Sequence, residues 1–239
     1  MLKITDLTKI YKNGCGIRGL NLQVEAGMTY GLLGPNGSGK TTTLKLIAGL
    51  ILRDSGSIEL MELETAENFE QAMRQTGFVF ESAVHYGNLS AYDNMLMVAR
   101  YYPEIPRSRI DELLDIVGVY DMREEKTESF SLGMCQRLAL AQAMYGYPKL
   151  MVMDEPFNGL DIQGMIDIRK IIASLVREGT SFLISSHLAD EIEKICTKAG
   201  IILNGQLICE DTMEEILKNH TSIEGYYIAK TKEARHAAI

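Results

Sequence analysis

The run Gly34-Pro35-Asn36-Gly37-Ser38-Gly39-Lys40-Thr41 constrains this chain more tightly than any other stretch. It fits G-x-x-x-x-G-K-[ST], a loop that wraps phosphate groups in backbone N–H donors. Such a loop must join a buried strand to a helix N-terminus, because the helix end supplies the positive dipole. Both flanks comply. Met28-Thr29-Tyr30-Gly31-Leu32-Leu33 reads as a buried strand, and Thr41-Thr42-Thr43-Leu44-Lys45-Leu46-Ile47-Ala48 reads as a helix. The cradle is expected to run from Gly34 through Thr42, with Lys40 reaching the outer phosphates and the Thr41 hydroxyl ligating Mg²⁺. A Gly-rich run can also be a plain tight turn, but the Gly39-Lys40-Thr41 ending between strand and helix argues for a nucleoside triphosphate site.

Composition narrows the surroundings. The 239 residues carry a formal net charge of −8, which argues against a general nucleic-acid surface. Hydrophobic residues make up 46% and charged residues 23%, as in an ordinary soluble globular protein. Cys15, Cys135, Cys196 and Cys209 are scattered with no C-x-x-C pair, so they read as reduced thiols of a cytoplasmic protein. The N-terminus enters a strand pattern without signal-peptide architecture, and no apolar run approaches a membrane span. Any membrane role is therefore expected to pass through a partner.

Alternation at 2–5 and 20–24, around the turn Asn13-Gly14-Cys15-Gly16, predicts an antiparallel β patch before the P-loop. A short strand at 58–60, a helix at 67–75 and a strand at 77–80 follow. From 91 to 143 the pattern is helical, broken at Pro103, Pro106, Gly118 and Gly133. Strands then resume at 149–153 and 181–184, with a long helix at 161–177, a helix near 188–194, and short strands around Ile201 and Leu207. Strands alternating with helices imply an α/β fold with a mainly parallel sheet. The tail is expected to add one helix through Asn219 and then fray.

Leu150-Met151-Val152-Met153-Asp154-Glu155 is an apolar strand ending in two acids. Asp154 can help hold Mg²⁺, directly or through water, and Glu155 can orient and polarise an attacking water. Many hydrophobic strands end in Asp; downstream of a P-loop the pair reads as Walker B. Upstream of it, Ser129-Phe130-Ser131-Leu132-Gly133-Met134-Cys135-Gln136-Arg137 precedes a Leu- and Ala-rich helix. Ser131 reads as an N-cap, and Gly133 permits close approach to the helix end. At this segment the sequence resembles the ATP-binding cassette (ABC) transporter ATPases, whose signature LSGGQ is followed by a basic residue and QR. This chain reads FSLGMCQR there, and the resemblance extends from residue 2 to about 210.

That resemblance implies one ABC ATPase domain over 1–239. It would comprise a P-loop α/β core with a β patch (1–90 and 146–211), an inserted helical subdomain (91–145) and a C-terminal extension (212–239). It also implies that Ser131 and Gly133 face the γ-phosphate held by a second protomer, sandwiching two MgATP in a head-to-tail dimer, read as a homodimer rather than a heterodimer. Asp161, in Asn158-Gly159-Leu160-Asp161, would reach across that dimer; it also reads as a helix N-cap. His187, after Ser185-Ser186, matches the switch histidine that contacts the γ-phosphate, whereas His85, His220 and His236 read as structural or exposed. Tyr11 stands where the family stacks an aromatic ring on adenine, with core packing as the other reading.

Three positions depart from the family pattern. Leu132 replaces a glycine, though its backbone donor should survive, and Met134 replaces a glutamine. Glu81 stands where a glutamine usually links the Mg²⁺ site to the membrane partner. Glu81 is expected either to tune coupling or to ligate Mg²⁺, with Lys40, Glu155 and His187 as the catalytic set. The implied protein hydrolyses ATP on the inner face of the cell membrane. It drives a separate permease docked at 81–89 and the helix from Ala91, in the manner of exporters for peptides and antibiotics. A soluble ABC-type regulator and an ATP-dependent dimerisation module stand as alternatives.

Overall fold

The computed structural model describes residues 1–81 and 85–237. The expected docking stretch 81–89 therefore includes three positions, 82–84, that lie outside the described residues. The chain opens with β1 (Leu2–Ile10) and β2 (Gly16–Val24), paired antiparallel. Both outrun the predicted strands because the pairing continues through register shifts between Ile4 and Lys9, with Asp6 at φ 47. β3 (Thr29–Leu33) feeds the P-loop and α1 (Lys40–Ile47). β4 (Ser55–Leu60) and β5 (Leu63–Glu64) complete a sheet of order β2-β1-β4-β5.

After α2 (Phe69–Met73) and β6 (Thr76–Val79) come three helices: α3 (Ala91–Ala99), α4 (Ser108–Ile116) and α5 (Leu132–Met144). The helical reading of 91–143 is found, with 3-10 turns at Tyr120–Met122 and Thr127–Ser129. The rest alternates: β7 (Leu150–Asp154), α6 (Ile162–Arg177), β8 (Ser181–Ser186), α7 (Ala189–Ile195), then β9 (Lys198–Leu203) and β10 (Gln206–Thr212). These strands give a six-stranded sheet of order β10-β9-β3-β8-β7-β6, in which only the β10–β9 pairing is antiparallel among the described residues.

Strand alternation divides the core between the two faces of that sheet. Leu150, Val152 and Leu183 face the antiparallel sheet and α1, packed with Leu2, Ile4 and Leu44. Met151, Met153, Phe182 and Ile184 face the other way, against Leu138 and Leu140 of α5 and Ile168 and Ile172 of α6. Covered on both sides, β3 is buried at all five positions, which is why it reads as a continuous apolar run.

The tail departs from expectation. α8 (Met213–Asn219) is followed by α9 (Ile223–Ala237) rather than a frayed end. Ile223 and Tyr226 are fully buried; the Ile223 N–H donates to Glu193 Oε2 at 2.8 Å, and the Tyr226 hydroxyl donates to Asp211 Oδ2 at 2.6 Å. Tertiary anchoring overrides a sequence whose own helical pattern is weak. The cysteines are free, and burial pushes the thiols of Cys135, Cys196 and Cys209 up, away from reactive thiolate.

Arg137 helps to fasten the helical block to the core. Arg137 of α5 donates to the Val117 carbonyl at 2.9 Å and to Asp167 Oδ2 of α6 at 2.8 Å. The Arg137 hydrogen bond holds the Asp167 carboxyl below its usual range, with Gln163 adding a second donor. A carboxyl depressed on folding stabilises fully above its unfolded pKa and loses that contribution as pH falls through the lower folded value. Asp167→Asn is expected to lower the unfolding free energy by about 0.5–1 kcal/mol at pH 7. Urea denaturation should show that difference closing as pH drops below about 4.

Candidate active site

Parallel register brings the critical turns together. Leu33 pairs with Ser186 and Asp154 with Ser185, so β3, β7 and β8 end side by side. The P-loop, Glu155 and His187 leave the sheet at this one edge, where ligands of parallel α/β sheets gather. They line a cavity of about 360 Å³ together with Tyr11, Cys15, Gly16, Glu81 and Asn158.

The P-loop is built for an anion. Gly34 lies so close to the β9 backbone that a Cβ there would sit 2.4 Å from the Ile202 carbonyl oxygen. Gly39, at φ 115, caps α1 in a left-handed conformation without a side-chain cap, and the first turn holds no acid. Among the described residues, the N–H groups of Lys40, Thr41 and Thr42 have no acceptor, and the buried Ser38 Oγ has no partner. Orphan donors at a helix N-terminus, with the dipole behind them, fit a phosphate chain.

Charge is stored beside these donors. The Lys40 side chain is 5% exposed; its ammonium donates to the Gly34 carbonyl at 2.7 Å and lies 3.3 Å from Glu155 Oε1. Glu155 itself adopts φ 49, a strained conformation for a side chain other than Asn, Asp or Gly. Its N–H donates to the Ser185 carbonyl at 3.1 Å, which fixes the turn. Its Oε2 accepts from the His187 N–H at 3.1 Å and from Nδ1–H at 2.9 Å in the matching tautomer. A buried carboxylate is thus gripped between Lys40 and His187.

Asp154 is buried beneath the cavity rather than lining it, and Ser185 Oγ donates to its Oδ1. Thr41 and Glu81 line the cavity, and Glu81 Oε1 accepts from Asn158 Nδ2 at 2.8 Å. Among the described residues no group of three His, Cys, Asp or Glu converges as a metal cage. The available donors are hard oxygens beside a phosphate cradle, which fits an ion such as Mg²⁺ that shares its shell with phosphate.

Ser131, Gly133 and Asp161 line no part of this cavity. Ser131 caps α5 by accepting from the Met134 N–H at 3.3 Å, and Asp161 caps α6 by accepting from Gly164 at 2.7 Å, as their residue types predict. The N–H groups of Leu132 and Gly133 have no partner among the described residues, so this helix end also offers free donors. The Leu132 backbone is helical, as expected, and its side chain lies over Gly159. His85 is half-buried, 2.8 Å from the Cys135 carbonyl through Nε2, and burial lowers its pKa.

A family model described as ABC transporter matches residues 17–158, more than half of the chain. The chain belongs to the ABC transporter family. It is 37% identical to the bacitracin transport ATP-binding protein BcrA of Bacillus licheniformis, over 98% of this chain and 77% of that protein. It is 38% identical to the lantibiotic transport ATP-binding protein SrtF of Streptococcus pyogenes, over 94% and 99%. A solved ATP-binding subunit of an ABC transporter superposes with TM-score 0.89 at 26% identity, covering 97% of this chain and 99% of the other. A dimeric cassette bound to ADP and phosphate gives TM-score 0.82 at 24% identity, over 89% and 99%, which shows the same fold.

Two residues of this ABC cassette escaped the sequence reading, Asn158 and Gln136. Gln136 Nε2 donates to the Asn158 carbonyl at 2.7 Å, linking α5 to the loop after β7. Both sat inside recognised motifs, but only the tertiary contact shows what they touch. The pairing of Leu132 with Gly159 was hidden likewise: a Cβ on Gly159, at φ 72, would lie 2.2 Å from Leu132 Cδ2. Gly159→Ala is expected to cost about 1–2 kcal/mol by urea denaturation, since a left-handed backbone and a clash add. Adding Leu132→Ala should recover the steric part and leave the backbone part.

Proposed function

We propose that this chain hydrolyses MgATP and uses the cycle to drive a separate membrane permease. The observation that carries the reading is the buried Glu155 carboxylate, held at a strained turn between Lys40 and His187 at the mouth of the phosphate cradle. A phosphate chain entering the cradle offers Lys40 a better partner than the Gly34 carbonyl and Glu155. Glu155, released from that ion pair but still oriented by His187, is then placed to accept the proton of a water attacking the γ-phosphate in line. Lys40 and the α1 N–H groups stabilise the charge that builds on the phosphate oxygens. Thr41 and Asp154 would hold Mg²⁺, with Glu81 at the same cavity, and the bound ion supplies further charge neutralisation. Tyr11 lines the cavity in a position suited to the adenine ring.

Free donors at Leu132 and Gly133 lie away from the cavity, which supports completion of each site by a second copy in a homodimer. Asp161 would take part across the same interface. No helix among the described residues is long and apolar enough to cross a membrane. The permease is proposed as a separate chain that holds this one at the inner membrane face. Glu81 and α3 are the proposed docking region. The names of the two relatives, bacitracin transport and lantibiotic transport, support a peptide-antibiotic cargo, and export is the direction proposed.

Phosphate release and binding of a fluorescent ATP analogue test the assignment. Glu155→Gln should bind nucleotide yet lose at least about 100-fold in hydrolysis, and Lys40→Ala should lose both. Glu81→Gln should keep hydrolysis within roughly tenfold. A dead Glu81 variant beside an active Glu155 variant would reverse the roles. Purification from solubilised membranes should recover a permease; recovery of ribosomes or DNA alone would overturn the transport reading.

A further inference from the structure

Asn158 makes three hydrogen bonds with three different groups, and each reaches a different part of the cassette. Its N–H donates to the Glu155 carbonyl at 3.1 Å. Its carbonyl accepts from Gln136 of α5 at 2.7 Å, and its side-chain amide donates to Glu81 at 2.8 Å. With both backbone groups engaged, the direction of the side chain is set by the loop.

The residue types at the two ends match. A carboxylate at position 81 can only accept, so it needs a donor opposite, and the Asn158 NH₂ supplies one. An aspartate at 158 would repel it, and a serine would be shorter. Gln136, which anchors the junction from the other side, is 3% exposed. The Glu81 segment and the start of α5 are therefore tied to one residue three positions beyond Glu155.

We propose that Asn158 is a positioning residue: it holds the Glu81 carboxylate in the nucleotide cavity and couples its placement to α5 and to the Glu155 turn. This rests on Glu81 being a residue of the ATP site. A shift of α5 or of the segment bearing Glu81 is transmitted through Asn158 to the backbone that orients Glu155. Asn158 lines the same cavity, and its proposed role is to act through these neighbours.

Exchange of donor and acceptor tests the pair in the full chain. Asn158→Asp opposes two carboxylates; adding Glu81→Gln restores a bond of reversed polarity. The readouts are kcat and KM for ATP, the release rate of a fluorescent ATP analogue, and the thermal midpoint. Asn158→Asp should lower kcat about tenfold with KM changed less than about threefold and the midpoint nearly unmoved. The double variant should return to within about threefold of Glu81→Gln alone, in kcat and in analogue release. Losses that multiply in the double variant, or an Asn158→Asp protein that behaves as wild type, would overturn the proposal. If Asn158→Asp does not fold, Asn158→Ala takes its place and must lose less activity in a Glu81→Ala background, which lacks the acceptor, than alone. If Glu81→Gln by itself changes neither kinetics nor analogue release, the reading of Glu81 as a site residue fails, while rescue of the Asn158→Asp kcat by Glu81→Gln still reports whether the pair exists.

Discussion

Everything at the candidate site depends on parallel pairing among β3, β8 and β7. A shift of one residue would turn each strand's core-facing side chains to the wrong layer, and both layers are packed. The register is therefore over-determined by burial: Leu33 ends beside Ser186, and Asp154 beside Ser185. Lys40, Glu155 and His187 come from segments far apart in sequence, yet none is placed by a long flexible loop. Glu155 and His187 directly follow the buried ends of β7 and β8, and Lys40 opens α1 across the P-loop from β3, so a sheet built for hydrophobic packing also sets the spacing of the polar groups.

The charges are arranged with equal economy. Lys40 is a cation enclosed by main-chain carbonyls and one carboxylate, in a chain of net charge −8. Burying an ammonium is costly unless it is paired, and Glu155 provides the pair. Among the described residues, the free N–H groups at the start of α1 line the cavity, whereas those at the start of α5 do not. The α5 donors are the ones proposed to meet a second copy.

The sequence was most legible where backbone geometry demands particular residues. Gly34 and Gly39 cannot carry a Cβ in their positions, so the P-loop leaves an unmistakable pattern; the caps Ser131 and Asp161 are read for a similar local reason. The strands at 149–153 and 181–184 and the helix at 161–177 lie close to their expected bounds, whereas β1 and β2 outrun theirs. What escaped depends on contacts between distant segments. α9 holds Gly225 and a mixed polar pattern, and it is stable because Ile223 and Tyr226 are buried against elements already in place. The substitution of Leu for glycine at 132 looked like an unexplained departure until its side chain was seen above Gly159. Asn158 and Gln136 were visible as letters in motifs, but the bond between them joins two loops whose proximity only the fold creates.

The order of the strands has a consequence for synthesis. β3 reaches the ribosome exit early, yet both of its partners in the sheet, β8 and β9, are translated near the end. The Thr29 N–H finds its side-chain partner in Thr197, 168 residues later. The antiparallel sheet of β1, β2, β4 and β5 can close while the chain is still short, since its pairings are comparatively local. The phosphate loop must wait as an exposed apolar strand and a Gly-rich turn, the state in which chaperones meet aggregation-prone chains. A nascent cassette therefore cannot capture nucleotide until almost all of it has been made.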